Sequence, residues 1–229
     1  KDCDEEGEDP LSLISEGDMI ASALAKGSYA ISLEFTPRWE VLELKFDKDR
    51  AAKDAVRLAD GGDWVSAVDT AVDILRDDPY SGPAVFLLGL AAEVHGRSED
   101  AIALHSLAKR MRSDRLYTQA LSRSRERVAE LQILQDTWGI APEPVAFRNI
   151  DEVVQRAQQA MDVPVAGSPS EVKGTKNKRL PVLSAESSGD VVAMVPGGTF
   201  VRKLSSSGGM TEVQLPDGGQ GWMDTKSLK

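Results

Sequence analysis

Two stretches of the chain repeat one pattern at an offset of 34 residues. In the first stretch Gly62 is followed five residues later by Ala67, and in the second Gly96 is followed in the same way by Ala101. A repeat of this length is typical of a helical hairpin that buries its apolar face against the next unit. The repeat therefore predicts stacked helical hairpins over residues 48–114.

Small side chains predict how closely these helices approach one another. Ala55 and Gly89 stand at equivalent positions in the first helix of each unit, where the lack of bulk lets a neighbouring helix approach to roughly 8 Å. The glycines at positions 62 and 96 predict left-handed helix ends, because a residue without a Cβ adopts that conformation easily. Pro79 predicts the end of the first unit, since a helix cannot continue through it.

These features together resemble the tetratricopeptide repeat family over about residues 48–114. The chain departs from the family at Ala51 and Asp54, where bulky side chains are usual. It departs again at Ser113, where a closing proline is usual. Because two repeats alone bury too little surface, we expect neighbouring segments to cap them.

The segments on either side of the repeats are predicted to complete the helical region. Residues 115–138 carry apolar residues at helical spacing, which predicts a capping helix with Ser113 or Asp114 as its N-cap. Before the repeats, residues 11–26 predict a helix that ends at Gly27. Apolar residues then alternate over residues 29–46, which predicts a β-hairpin.

A change in composition predicts a linker and a second domain. Residues 139–180 are rich in proline, glycine and serine, and predict a mobile tether that contains one short amphipathic helix over residues 149–162. Residues 181–229 contain short apolar-alternating runs separated by PGG, SSSGG and PDGG, which predicts a small antiparallel β-barrel. The predicted fold class is therefore multidomain α + β, with helical hairpins followed by a small barrel.

The C-terminal motifs LSAESSGDVV, GGTFV, SSGGM, LPDGGQGWMD and SLK resemble, in this order, the bacterial SH3-like domain. The chain departs from that family at Met210, where tryptophan is usual, and it lacks the arginine common in the first strand. The resemblance implies a second contact surface with Phe200, Met210 and Trp222 as its apolar candidates. It also implies peptidoglycan as a ligand and a periplasmic or envelope location, although a cytoplasmic location stays open.

The charge and cysteine content restrict the class of protein. A net charge of -10 argues against a nucleic-acid binder, because phosphates would be repelled. Residues 1–10 hold six acidic residues against one lysine and predict a solvated, disordered tail. Cys3 is the one cysteine, which excludes an internal disulfide and a cysteine-based zinc site. No apolar run reaches the roughly 20 residues that a membrane span needs.

No residue pattern predicts catalysis. His95 and His105 fall in different helices, and we interpret His105 as a packed core imidazole and His95 as a helix-end residue. The paired carboxylates lie at predicted helix ends, and no glycine-rich phosphate loop is present. The sequence therefore predicts a protein that is not an enzyme, with no catalytic residue, no cofactor and no metal.

The tetratricopeptide resemblance implies a groove that holds a segment of another protein. We expect this groove to be mostly apolar, which favours an amphipathic helix or an apolar peptide as its ligand. An equally weighted alternative is that the chain's own N-terminal helix or residues 150–161 fill it. The residues predicted to line the groove are Val56, Asp60, Phe86, Leu90, Glu93, Tyr117 and Ser124.

The sequence thus predicts a non-enzymatic interaction scaffold or assembly factor of a bacterial cell envelope. In this hypothesis the repeats hold one partner, and the tethered barrel makes a second contact that raises the effective concentration. The alternative hypothesis is a peptidoglycan-targeting subunit for a separate cell-wall enzyme.

Overall fold

The computed structural model describes residues 16–35, 43–139, 147, 149–175, 178–187 and 189–229. The chain divides into two compact units, residues 1–43 and residues 44–229. The described residues form seven α-helices followed by a six-stranded antiparallel sheet, and the helices of the second unit pack against one another. The predicted α + β fold class is confirmed.

The first unit contains one long helix where the sequence predicted a helix and a strand. Helix α1 runs from Glu16–Phe35, so the strand predicted at the start of the 29–46 hairpin is wrong. Gly27 lies inside the helix without the left-handed conformation that would end it. Because extending a formed helix is cheap, the short alternation after Gly27 does not stop it. Residues 36–42 of the predicted hairpin lie outside the described residues, and residues 43–49 form no strand.

The second unit begins with two consecutive helical hairpins. A short 3-10 turn at Arg50–Ala52 precedes them. As predicted, Gly62 and Gly96 adopt left-handed conformations between the paired helices, with φ values of 85° and 75°. The first hairpin is α2 (Lys53–Asp60) with α3 (Trp64–Asp77), and the second is α4 (Gly82–Val94) with α5 (Ser98–Met111).

Helix α4 is the centre of the helical core. Its residues from Gly82 to Ala92 are all buried, because α3, α5 and α6 pack around it. The imidazole ring of His105 on α5 lies directly over Gly89, and a Cβ added at Gly89 would come within 2.6 Å of that ring. Gly89 was predicted to let a neighbouring helix approach closely, and the group that approaches it is the His105 ring of α5.

Two further helices close the helical region. Helix α6 (Arg115–Trp138) matches the predicted capping helix, and the Asp114 side chain caps it by accepting a hydrogen bond from the Leu116 N–H at 2.8 Å. Helix α7 (Asp151–Asp162) packs against α5 and buries Val154 and Ala157 in the same core. A mobile tether is therefore wrong for residues 149–171, since they form a packed helix and a paired strand.

The C-terminal strands form one antiparallel sheet in the order β1-β4-β5-β6-β2-β3. The four strands predicted from alternation are confirmed as β3 to β6, while β1 and the first two residues of β2 fall in the segment predicted to be a linker. Buried valines at 182, 195, 201 and 213 fill the core of the sheet together with Met223. The strands are β1 (Ser168–Glu171), β2 (Arg179–Leu183), β3 (Val191–Pro196), β4 (Phe200–Ser207), β5 (Met210–Gln214) and β6 (Gln220–Asp224).

We predict that Gly89→Ala destabilises the protein although alanine favours a helix. The new methyl group would collide with the His105 ring, which is fully buried and cannot move without disturbing its neighbours. Overpacking of this kind costs about 1–3 kcal/mol and outweighs a helix-propensity gain of about 1 kcal/mol. Urea unfolding followed by circular dichroism measures the change.

Gly61→Ala is the matched control, because the added Cβ meets only ordinary contacts at 3.5 Å. We expect its free energy of unfolding to stay within about 0.5 kcal/mol of the wild type. Equal effects of the two substitutions would contradict the close packing of His105 on Gly89.

Candidate functional site

The predicted partner-binding groove is closed in this structure. Phe86, Leu90, Tyr117 and Ser124 are at most 1% exposed, so none of them can touch a partner. The Phe86 ring stacks on Tyr117 with centroids 4.5 Å apart, and the Tyr117 hydroxyl donates a hydrogen bond to Asp47. The prediction of an open groove at these residues is therefore wrong.

The chain's own segment before the first repeat occupies part of this region. Leu44 and Phe46 pack against the helical core, and Asp47 accepts hydrogen bonds from Tyr117 and Arg112. Helix α7 instead packs on α5. Of the remaining predicted groove residues, Val56 is half-buried and Asp60 is exposed at the end of α2.

Glu93 forms the main polar contact inside the helical region. Its carboxylate accepts two hydrogen bonds from Arg123, at 2.6 and 2.8 Å. The Nε2 atom of His105 lies 3.6 Å from Glu93, slightly beyond hydrogen-bond length. Burial acts to raise the pKa of the Glu93 carboxyl, but the hydrogen bonds, chiefly those from Arg123, outweigh burial and leave this pKa lowered.

His105 is a core imidazole, as predicted. It is fully buried, and neither ring nitrogen has a hydrogen-bond partner among the described residues. Burial lowers the pKa of His105 more than the neighbouring Glu93 carboxylate raises it. The ring is therefore neutral in the folded protein at neutral pH.

A partly buried carboxylate anchors the sheet to the helices. Asp217, in the turn between β5 and β6, accepts hydrogen bonds from Arg156 at 2.9 Å and from the Tyr80 hydroxyl at 3.2 Å. The same arginine donates to the Pro79 carbonyl at 2.7 Å and lies 5.0 Å from the centre of the Tyr80 ring. Burial, followed by the charge of Asp217, raises the pKa of Tyr80, so its hydroxyl remains a donor.

The segment that follows α7 forms a second attachment. The Gln214 side chain donates to the Pro164 carbonyl at 3.0 Å and accepts from the Ala166 N–H at 3.1 Å. Arg110 on α5 donates to the Val163 carbonyl at 3.1 Å. Gly218 lies so close to Val163 that a Cβ there would be only 2.8 Å away. These contacts fix the sheet at a set position against α5.

Between α5, α6 and the sheet lies an open cavity of about 810 Å³, which we name the basic cleft. Met161 and Val165 lie at its edge and are 43% and 51% exposed, and Phe200 lines it from β4. Lys109, Arg110, Arg125 and Arg202 supply its charge. No aspartate or glutamate stands among the described residues that line it.

The four cations of the basic cleft have no carboxylate partner among the described residues, whereas Arg97, Arg112, Arg123 and Arg156 each reach one. Burial lowers the pKa of the Arg110 guanidinium, and the positive charge of Arg202 lowers it further. Both guanidinium groups line the basic cleft, Arg110 from α5 and Arg202 from β4, where these two elements contact each other. Such an arrangement favours an anion placed between them.

The structure separates the three predicted second-contact residues. Phe200 lines the basic cleft. Met210 and Trp222 lie on the face of β5 and β6 opposite the sheet core, because Trp222 pairs with Glu212 and Glu212 follows Met210 at a spacing of two. Both side chains are half-buried.

Sequence reasoning found Phe200 but missed the cations beside it. They come from α5, α6 and the distant strand β4, so no local pattern marks them as one cluster. The available signal was a pair of adjacent basic residues, Lys109 and Arg110, near the end of a predicted helix, where cations also suit the helix dipole.

The described residues contain no group of three histidine, cysteine or carboxylate side chains able to hold a metal ion. None of their helices has the length and apolar character that a membrane crossing requires. Comparison with protein-family models, curated proteins and solved structures finds no match to this chain.

We predict that acidification destabilises the protein through His105. The unfolded chain takes up a proton near the ordinary histidine pKa of about 6.5, whereas burial lowers the pKa in the folded protein. The unfolded state therefore binds more protons below about pH 6.5, and the free energy of unfolding falls as the pH falls. Thermal unfolding at about pH 7.5 and about pH 5.5 measures the loss.

His105→Leu removes the titrating group from the core, and the midpoint of this variant should change less between the two pH values. His95→Gln is the control, and it should keep the wild-type loss. If His105→Leu lost as much stability on acidification as the wild type, another group would be responsible.

Proposed function

We propose that the protein is a non-enzymatic interaction protein that holds a partner protein in the basic cleft. The observation that carries this proposal is one open cavity that combines exposed apolar side chains with four cations, none of which has a carboxylate partner in the part of the chain that the structure describes. A volume of about 810 Å³ lies within the range of roughly 300–1,000 Å³ that is usual for binding pockets.

The walls of the basic cleft are held in place before any partner binds. Asp217, Arg156 and Gln214 join the sheet to the helices through side-chain hydrogen bonds, so the spacing between α5 and β4 is set by the fold. A preorganised site loses less entropy on binding than a flexible one. This rigidity supports a role in recognition.

The chemistry of the lining also favours binding over catalysis. The described lining residues are lysine, arginine, serine, glutamine, proline and apolar residues, without a histidine, cysteine or carboxylate. Acid–base catalysis commonly uses such groups in pairs of matched pKa. The basic cleft therefore suits charge recognition better than proton transfer.

The family resemblances support the same proposal at a finer level. Two helical hairpins with left-handed glycines at a 34-residue offset are compatible with tetratricopeptide-like repeats. The order of motifs in the sheet is compatible with an SH3-like module. We propose on these grounds a scaffold or assembly factor of a bacterial cell envelope, with the partner bound at the basic cleft and not in the repeat groove.

Photo-crosslinking tests the proposal. With p-benzoylphenylalanine in place of Met161, the full chain should form a defined adduct with a protein of its source cells. The adduct should disappear when Arg125→Glu is added, because that substitution reverses a charge of the cleft.

The same photoreactive residue in place of Val65 is the matched control. Val65 is an exposed apolar residue on α3, 65% exposed, and does not line the basic cleft. Equal adducts from both positions, or none from position 161, would contradict a partner site at the cleft.

A second candidate function is recognition of peptidoglycan by the sheet. It is favoured by Met210 and Trp222, which share the outward face of β5 and β6 and are half-buried. We expect Trp222→Ala to abolish cosedimentation with purified peptidoglycan if this surface binds it. A wild-type protein that stays in the supernatant would remove this candidate.

A further inference from the structure

We infer that the basic cleft binds an acidic, amphipathic peptide segment of the partner protein. In this arrangement carboxylates lie against Arg110, Arg202 and Arg125, and an apolar side chain of the segment packs against Phe200 and Met161. The inference rests on the proposed function and specifies the chemistry of its ligand.

The first step of the argument is charge. The chain holds 37 acidic residues against 27 lysines and arginines, yet the described lining of the basic cleft carries four cations and no acidic residue. Acidic residues outnumber basic ones in the chain, and several arginines outside the cleft form ion pairs with them. The counter-charge of the cleft is therefore expected from a ligand.

The second step is the position of two guanidinium groups that line the same cavity, Arg110 from α5 and Arg202 from β4. Arg110 uses one N–H to bind the Val163 carbonyl, which holds the group in position and leaves its other donors for a ligand. Arg202 lies close enough that its charge lowers the pKa of Arg110. A carboxylate between them would relieve the repulsion and accept hydrogen bonds from both groups.

The third step is the apolar surface beside the charges. Met161 and Val165 are about half exposed and Phe200 is half-buried, so the cleft presents apolar surface to solvent. A bare inorganic anion would leave this surface in water. A ligand that carries both carboxylates and apolar side chains satisfies both parts of the cleft.

The edge strand beside the cleft indicates how such a segment is held. β1 lies at one edge of the sheet, where Pro169 lacks a backbone N–H and the Glu171 carbonyl already accepts a hydrogen bond from the Lys229 N–H at 2.9 Å. A peptide cannot form a full ladder with this edge, so side-chain contacts in the cleft must carry the binding. The cations and the apolar patch therefore determine specificity.

The test uses the full chain and a fluorescein-labelled octapeptide, Glu-Glu-Phe-Glu-Glu-Leu-Glu-Glu, in a fluorescence anisotropy titration. A second peptide with glutamine in place of every glutamate is the charge control. We expect the acidic peptide to bind and the glutamine peptide to bind at least about tenfold more weakly, because charge-assisted hydrogen bonds are lost. Raising the salt concentration should weaken the acidic complex, since part of each interaction is screened.

Matched variants on the protein locate the binding. Arg125→Gln and Arg127→Gln change two arginines of α6, but only the first lines the basic cleft, while Arg127 lies 3.5 Å from Glu130. Arg125→Gln should weaken binding several-fold and Arg127→Gln by less than twofold. The double variant Arg110→Gln with Arg202→Gln should weaken it by about tenfold or more. Thermal unfolding checks that each variant is folded, and Arg125→Gln keeps the test decisive if the double variant is not.

Three results would overturn the inference. The acidic peptide could fail to bind, Arg125→Gln and Arg127→Gln could have equal effects, or phosphatidylglycerol vesicles could bind through Arg125 in preference to the peptide. If the peptide fails while the crosslink at position 161 still forms, the proposed partner site stands and only its acidic ligand is wrong. If both fail, the proposed function is wrong as well.

Discussion

The Asp217 carboxylate is the central contact of the attachment between the sheet and the helices, to which Gln214 and Arg110 add further hydrogen bonds. Asp217 accepts hydrogen bonds from both Arg156 and Tyr80, and its side chain is only 22% exposed. Partial burial makes such an ion pair more valuable than one on the surface, where the median contribution is about 0–1 kcal/mol. Arg156 also binds the carbonyl of Pro79, so one side chain joins the end of the first hairpin, helix α7 and the β5–β6 turn. The basic cleft is a consequence of this attachment, because its two walls belong to the joined parts.

Within the helical region, a second set of contacts between helices closes the groove that helical repeats can leave open. Glu93 and Arg123 join α4 to α6, and Phe86 stacks on Tyr117 beside them. Each buried partner needs the other, since a charge left alone in the core is strongly unfavourable. Residues 82–92 of helix α4 are consequently buried. The exposed cavity lies instead at the boundary between the helices and the sheet.

The sequence predicted the parts of the fold that have a local pattern. The 34-residue repeat and the alternating runs after residue 190 predicted the hairpins, the capping helix and four strands. Strand β1, with the sequence SPSE, has no apolar alternation and buries only Ser170, so its place depends on pairing with β4. The cleft has no local pattern at all, because Arg110 and Arg202 meet only after the sheet has packed against α5. Phe200 could be found in advance because an aromatic residue at a strand start is visible in the sequence.

In an acidic chain with a basic cleft, the range over which charges are screened determines which anionic ligands can bind. At physiological ionic strength charges are screened beyond about 8 Å, so the overall charge of -10 weakens the approach of an anion without cancelling its contacts inside the cleft. A long polyanion such as a nucleic acid would extend past the cleft and be repelled by the net charge of -10, which costs it affinity. A short acidic segment that is no longer than the cleft avoids that repulsion, because all of its carboxylates lie near the cations. The apolar patch at Met161 and Val165 adds a contact that screening does not weaken, so in the proposed complex charge would select the ligand and apolar burial would retain it.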